Sequence, residues 1–267
     1  MSSLKSRVLV AVIGVPVLVA IVLWAPDVVI MIALALLAGI GGSELQKCVS
    51  GENKKDRYPI DIVAVFTVWF YYRQADNIAL LVLAYVLIFF TFAIIDGGKT
   101  KFAQIMAGTF GSVAIGYSFA SFLRIEAMGL HRAWLLLPFI LSFACDTFAY
   151  FVGCSIGKHK LAPKVSPKKS VEGSIGGLAG NVLCGCLFLL VMNRMFGETI
   201  GYGAMVVLAL CCGVVAQIGD LSFSLIKREF GIKDYGKLFL AHGGVLDRFD
   251  SVLFVVPVIE IILNFVR

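Results

Sequence analysis

Long apolar runs recur along this chain from end to end, each closed by a short cluster of charge, glycine, proline or asparagine, and that repetition leaves few folds open. A helix needs about 20 mostly apolar residues to cross a hydrocarbon core. Nine such spans are predicted, at residues 8–25, 27–42, 60–72, 78–95, 103–123, 133–153, 177–196, 202–220 and 250–266. A water-soluble domain is excluded by the polar material available: 15% of the residues are charged and 60% hydrophobic, where soluble domains have about 25% charged and no more than about 50% apolar residues. The same scarcity excludes disorder, and it excludes a nucleic-acid partner held on an all-round basic surface. The expected fold is therefore all-α, a polytopic integral membrane protein.

The placement of basic residues tests this count, because Lys and Arg in short loops are retained on the cytoplasmic side. With the N-terminus cytoplasmic, only Arg73, Arg124, Arg132, Arg194 and Arg267 of the 23 basic residues fall on the far side. Deleting or adding a span scrambles that partition. The first span has the basic start of a signal peptide, but its apolar core is too long and no small-x-small cleavage site follows, so it is expected to stay. The longest polar stretches, about 154–176 and 221–249, both fall on the cytoplasmic side.

An ionisable group inside a span costs about 2.5–3.5 kcal/mol or more, so each asks for a reason. Asp146 sits well inside the sixth span, with Tyr150, Gly153 and Gly157 following at helical spacing, and is expected to line a polar cavity. Asp220 ends the eighth span within a polar stripe of Gln217, Ser224, Lys227 and Arg228. Asp247 and Asp250 lie i, i+3 if the ninth helix starts near Val245, a spacing at which two carboxylates can converge on a divalent cation. Glu260, with Asn264 one turn on, reads as an interhelical hydrogen bond.

The polar loops supply the opposite sign. Loop 154–176 holds five lysines, and a lipid-headgroup patch would account for them by charge alone. Their arrangement says more. Ser166, Lys168, Lys169, Ser170 and Gly173 precede a helix, expected to open at the Gly176-Gly177 pair, and supply the hydroxyls, point charges and N–H groups that a phosphate site uses. Gly243-Gly244, beside His242 and Arg248, offers a second helix N-terminus. Acids at the membrane boundary facing basic, glycine-punctuated loops suit divalent-metal chemistry on phosphates, with carboxylates on the cation and Lys or Arg on phosphoryl oxygens.

The stretch from Ser224 to Asp250 closely resembles the signature of the phosphatidate cytidylyltransferases, the CDP-diacylglycerol synthases. Lys227-Arg228, Lys233-Asp234, His242-Gly243-Gly244, Asp247-Arg248 and Asp250 stand at that family's spacing, and Leu240 stands where the family usually has Pro or Gly. Upstream, Asp146 to Gly153, Gly157 to Lys160 and Ser166 to Gly173 resemble its second block. The resemblance covers the C-terminal half; the first five spans share only their apolar character. It implies an N-terminal transmembrane region over 1–132 and a catalytic region over 133–267. It also implies an Mg²⁺-dependent nucleotidyltransferase, with one or two metal ions, that makes CDP-diacylglycerol and pyrophosphate from phosphatidate and CTP. Such an enzyme would lie in the cell membrane, as a homodimer, with its active site facing the cytoplasm. On this reading Asp220 and Asp247 hold the metal centre, with Asp250 and Asp146 beside them. Lys168, Lys169, Lys227, Arg228, Lys233 and Arg248 bind phosphates, with Ser166, Ser170, His242 and the Gly243-Gly244 amides nearby. The rival from another class is a transporter, because glycine-interrupted helices bearing acids also mark ion pathways.

Overall fold

The computed structural model describes residues 3–51, 68, 78–197, 200–238 and 243–266. Its helices, in chain order, are α1 (Ser3–Trp24), α2 (Asp27–Ser50), α3 (Ile78–Ile95), α4 (Phe102–Ala127), α5 (Leu137–Ile156), α6 (Val171–Phe196), α7 (Tyr202–Glu229) and α8 (Leu246–Val266). These stand where eight of the nine expected spans were placed; the remaining one, 60–72, lies outside the described residues apart from Val68. Six helices, all but α1 and α3, are long and apolar enough to cross a membrane. Their outward faces agree with that use. Val28, Leu183, Val207 and Phe265 are 60%, 51%, 56% and 86% exposed, apolar surface that water would penalise and lipid would cover.

The helices outrun the apolar segments that announced them. α2 continues to Ser50 instead of stopping near 42, so Gly39, Gly41 and Gly42 are buried inside it and do not mark its end. α6 starts at Val171, six residues before the expected 177, and Gly176-Gly177 therefore lie within the helix. α7 runs on to Glu229 and α8 opens at Leu246, which shortens the expected 221–249 loop to 230–245. In each case the helix ladder satisfies the backbone on both sides of the membrane boundary, so hydropathy marks where lipid stops and not where hydrogen bonding stops.

The all-α expectation also needs one correction. Within the 154–176 stretch, β1 (Lys160–Ala162) pairs antiparallel with β2 (Ser166–Ser170), with Lys160 opposite Ser170 and Ala162 opposite Ser166. Pro163 makes the turn: the Val165 amide donates to the Ala162 carbonyl at 3.2 Å, placing proline at the second turn position, which its fixed φ favours. Pro167 costs the pair little, since a two-stranded ribbon consists of edges.

The chain divides into two compact units: Met1–Arg124 with Phe230–Arg248, and Ile125–Glu229 with Phe249–Arg267. The first buries Ala38, Phe89, Ile115, Phe119 and Ala120. In the second, Trp134, Leu141, Leu189 and Met205 are buried, and Phe223 packs edge-on against Phe254 with ring centroids 6.2 Å apart. That unit is organised by close contact between α5 and α6. A Cβ on Gly173 would stand 2.7 Å from the Ala149 carbonyl oxygen, and one on Gly177 would stand 2.9 Å from that of Cys145. Small residues let the two backbones meet, the usual means of helix association where lipid offers no hydrophobic drive. Gly177→Val is expected to destabilise the protein by about 1–3 kcal/mol, the size of an overpacking penalty, read as a lowered midpoint of thermal unfolding in detergent. An unchanged midpoint would show that the seam has slack.

Candidate active site

The basic hairpin is fastened to the helix that follows it. Ser170 ends β2 and caps α6, its hydroxyl accepting from the Gly173 amide at 3.1 Å. Glu172, in the first turn, accepts from the Lys158 amide at 3.1 Å and the His159 amide at 3.2 Å, while His159 Nδ1 lies 2.6 Å from its Oε1. The Val171 amide donates to the His159 carbonyl at 2.9 Å. An acid in the first turn suits the positive end of the helix dipole, and here it also fixes where the lysines sit.

Under this hairpin is a cavity of about 530 Å³ in the second unit, into which Asp146, Tyr150, Lys160, Lys168, Lys169 and Ser170 face. Asp146 does line a cavity, with Tyr150 and Gly153 beside it, though that cavity mixes apolar surface with its charged groups. Gln217 closes another part of it. The Ser174 hydroxyl donates to its Oε1, and its Nε2 donates to the Ser174 carbonyl at 3.2 Å. Lys169 forms an ion pair with Asp220, each about one-quarter exposed. The Ser224 hydroxyl donates to Asp220 Oδ1 at 3.4 Å, and the Arg228 guanidinium reaches the Val165 carbonyl at 3.4 Å. Asp250 lies within electrostatic reach of both Asp220 and Asp146, with Lys227 supplying the opposing charge. The stripe read along α7 and the basic loop thus come together through the Lys169–Asp220 pair and the Arg228–Val165 contact.

The fourth aspartate is engaged differently. In the first unit, Asp247 is buried and its Oδ2 accepts from the Tyr235 amide at 2.7 Å and the Gly244 amide at 2.9 Å. Gly243 adopts φ +82°, a conformation that favours glycine, and a Cβ there would press on the Asp247 carboxylate. Lys233 and Arg248 are exposed, and His242 lies outside the described residues, as does Leu240. A residue the sequence reading passed over completes this corner. Glu44 on α2 is only 4% exposed, and its two carboxylate oxygens accept from the Val245 amide at 3.0 Å and the Leu246 amide at 2.9 Å. The available signal was a lone acid one residue past Ser43 at the end of an apolar run, which the intramembrane cost of a charge marks as needing a partner.

The arrangement in the second unit offers carboxylate oxygens, hard donors suited to Mg²⁺, next to ammonium groups suited to phosphate. Among the described residues no group of three or more His, Cys, Asp or Glu side chains is placed to hold a metal ion by protein donors alone. Mg²⁺ is ordinarily held by one or two carboxylates and completed by substrate phosphates and water.

The sequence model of the cytidylyltransferase family matches residues 5–266 of the chain. Over 149 residues, 56% of this chain and 55% of each relative, the chain is 39% identical to a phosphatidate cytidylyltransferase of Staphylococcus saprophyticus subsp. saprophyticus, 38% to one of Staphylococcus haemolyticus and 40% to one of Staphylococcus aureus. The chain thus spans about half the length of these curated relatives. The transporter reading draws no support from these matches.

Removing the cap on α6 is expected to loosen the hairpin. Ser170→Ala should cost about 1 kcal/mol of stability, the usual loss for an N-cap hydroxyl, and should speed proteolysis between residues 157 and 170 in the detergent-solubilised protein. Unaltered stability and cleavage would mean that Glu172 alone carries the anchorage.

Proposed function

The chain belongs to the cytidylyltransferase family, and from that premise we propose that it transfers CMP from CTP to phosphatidate, giving CDP-diacylglycerol and pyrophosphate. The observation that carries this reading is the cavity under the hairpin, where Asp146 faces the same space as Lys160, Lys168 and Lys169, and Lys169 pairs with Asp220. One substrate is anchored in lipid, the other is a soluble nucleotide, and both are polyanions. Two unit charges 4 Å apart repel by about 1 kcal/mol in water and about 4 at an effective dielectric near 20. Joining two anions beside lipid therefore calls for counter-charge held in place beforehand.

The reaction needs no protein nucleophile. A phosphate oxygen of phosphatidate attacks the α-phosphorus of CTP, a new P–O–P link forms, and the bond to the β-phosphate oxygen breaks with its electron pair leaving on pyrophosphate. Lys168 and Lys169 take the phosphoryl oxygens from the hairpin side, and Lys227, Arg228, Lys233 and Arg248 supply further positive charge. Ser166, Ser170, His242 and the Gly243-Gly244 amides are the remaining candidates for phosphate contacts. Of the four aspartates expected to ligate Mg²⁺, Asp220, Asp250 and Asp146 share an electrostatic environment in the second unit, and one or two of them would hold the ion there, while Asp247 commits an oxygen to the Tyr235 and Gly244 amides. Bound Mg²⁺ supplies charge neutralisation at the phosphoryl oxygens and at the departing pyrophosphate.

The proposal places the protein in the cell membrane with a cytoplasmic N-terminus and a cytoplasmic active site, supported by the distribution of Lys and Arg between the loops. A homodimer is proposed by family resemblance.

Pyrophosphate release from CTP in detergent is expected only when phosphatidate and Mg²⁺ are both present, and chelation should abolish it. Release without phosphatidate, or none at all, would overturn the reading. Asp220→Asn should lower kcat by at least about a thousandfold while the protein still inserts and stays folded, the scale on which removing charge stabilisation from a transition state is felt. Lys168→Ala and Lys169→Ala should chiefly raise KM for CTP or phosphatidate. Normal kinetics in both lysine variants would return the loop to the role of a lipid-headgroup patch.

A further inference from the structure

We infer that Glu44, on α2, is a positioning residue that holds the Gly243–Arg248 turn in its working shape. The first N–H groups of a helix have no intrahelical acceptor. At α8 the amides of Val245 and Leu246 are taken by Glu44, one by each carboxylate oxygen, at 3.0 and 2.9 Å, across some 200 residues of sequence. The glycines around the carboxylate match this use. A Cβ on Gly244 or on Gly236 would collide with Glu44, so both backbone segments approach it as only glycine can. Asp247 works from the other side, its Oδ2 holding the Tyr235 and Gly244 amides. The turn is thus fixed by two carboxylates that bind backbone, one from α2 and one of its own.

Several features indicate a task for Glu44 beyond filling space. It is buried, it is ionisable, and it spends both oxygens on the segment that bears the Gly-Gly and Asp-Arg motifs. A helix cap alone is ordinarily made by a local Ser, Thr, Asp or Asn. Here the position is occupied by Val245 and the acceptor comes from another helix, which ties the geometry of the turn to α2. The inference rests on the proposed cytidylyltransferase activity for its catalytic consequence, though not for its structural one.

The test uses the full chain in detergent or nanodiscs. In Glu44→Gln, which keeps shape but replaces one acceptor by a donor, amide hydrogen exchange in peptides covering 243–248 should quicken by at least about tenfold, as expected on losing a hydrogen bond to a charged group. kcat per folded molecule should fall by at least about tenfold with KM for CTP within about twofold, the split expected when geometry and not ground-state binding is lost. Glu44→Asp, shorter but charged, should regain more of both than Gln does. Unchanged exchange at 243–248 would overturn the inference, and so would wild-type kcat per folded molecule despite faster exchange, because a purely structural residue alters yield and melting temperature only. If the unaltered protein makes no CDP-diacylglycerol, the proposed function fails, and the exchange experiment alone then decides the role of Glu44.

Discussion

A charge brought to the edge of a hydrocarbon layer must be given partners at once, because water can no longer supply them. Much of the described structure can be read from that constraint. Asp220 meets Lys169, Glu172 meets the backbone of Lys158 and His159, Asp247 meets the amides of Tyr235 and Gly244, and Glu44 meets those of Val245 and Leu246. In three of these four cases the partner is main chain. The acids therefore shape loops as well as offering ligands, and the polar segments between helices are drawn into fixed conformations by side chains on the helices themselves.

Close packing of small residues makes the second unit possible. Because Gly173 and Gly177 let α6 lie against the backbone of α5, the hairpin that joins them is short and stays over the seam. The cavity forms beneath it, walled by Asp146 and Tyr150 from α5, by the lysines of the hairpin and by Gln217 from α7. Its lining joins apolar side chains such as Leu161 to the charged groups of Asp146, Lys160, Lys168 and Lys169, a mixture suited to the lipid and nucleotide substrates of the proposed reaction.

Much of this was legible in the residues. Apolar run length placed the helices, the i, i+3 and i, i+4 spacing of Gln217, Asp220 and Ser224 placed them on one face, and Asp146 was recognisable as a cavity residue because a carboxylate inside a span needs a reason. Element ends were not legible. The ladder of α7 runs about two and a half turns beyond Asp220 to Glu229, and hydropathy is silent about backbone hydrogen bonds that persist outside lipid. The hairpin was hidden because Lys160–Ser170 is polar, short and stripped of the alternation that signals a strand. Glu44 escaped for a different reason: its partners are amides some 200 residues away, and amides have no residue type to recognise.

The pairing of Lys169 with Asp220 has a bearing on ligand capture. The two charges are each other's counter-ions, so neither is stranded where water is scarce. On the proposed reading, an anion that drew the Lys169 ammonium away would leave the Asp220 carboxylate open to a cation.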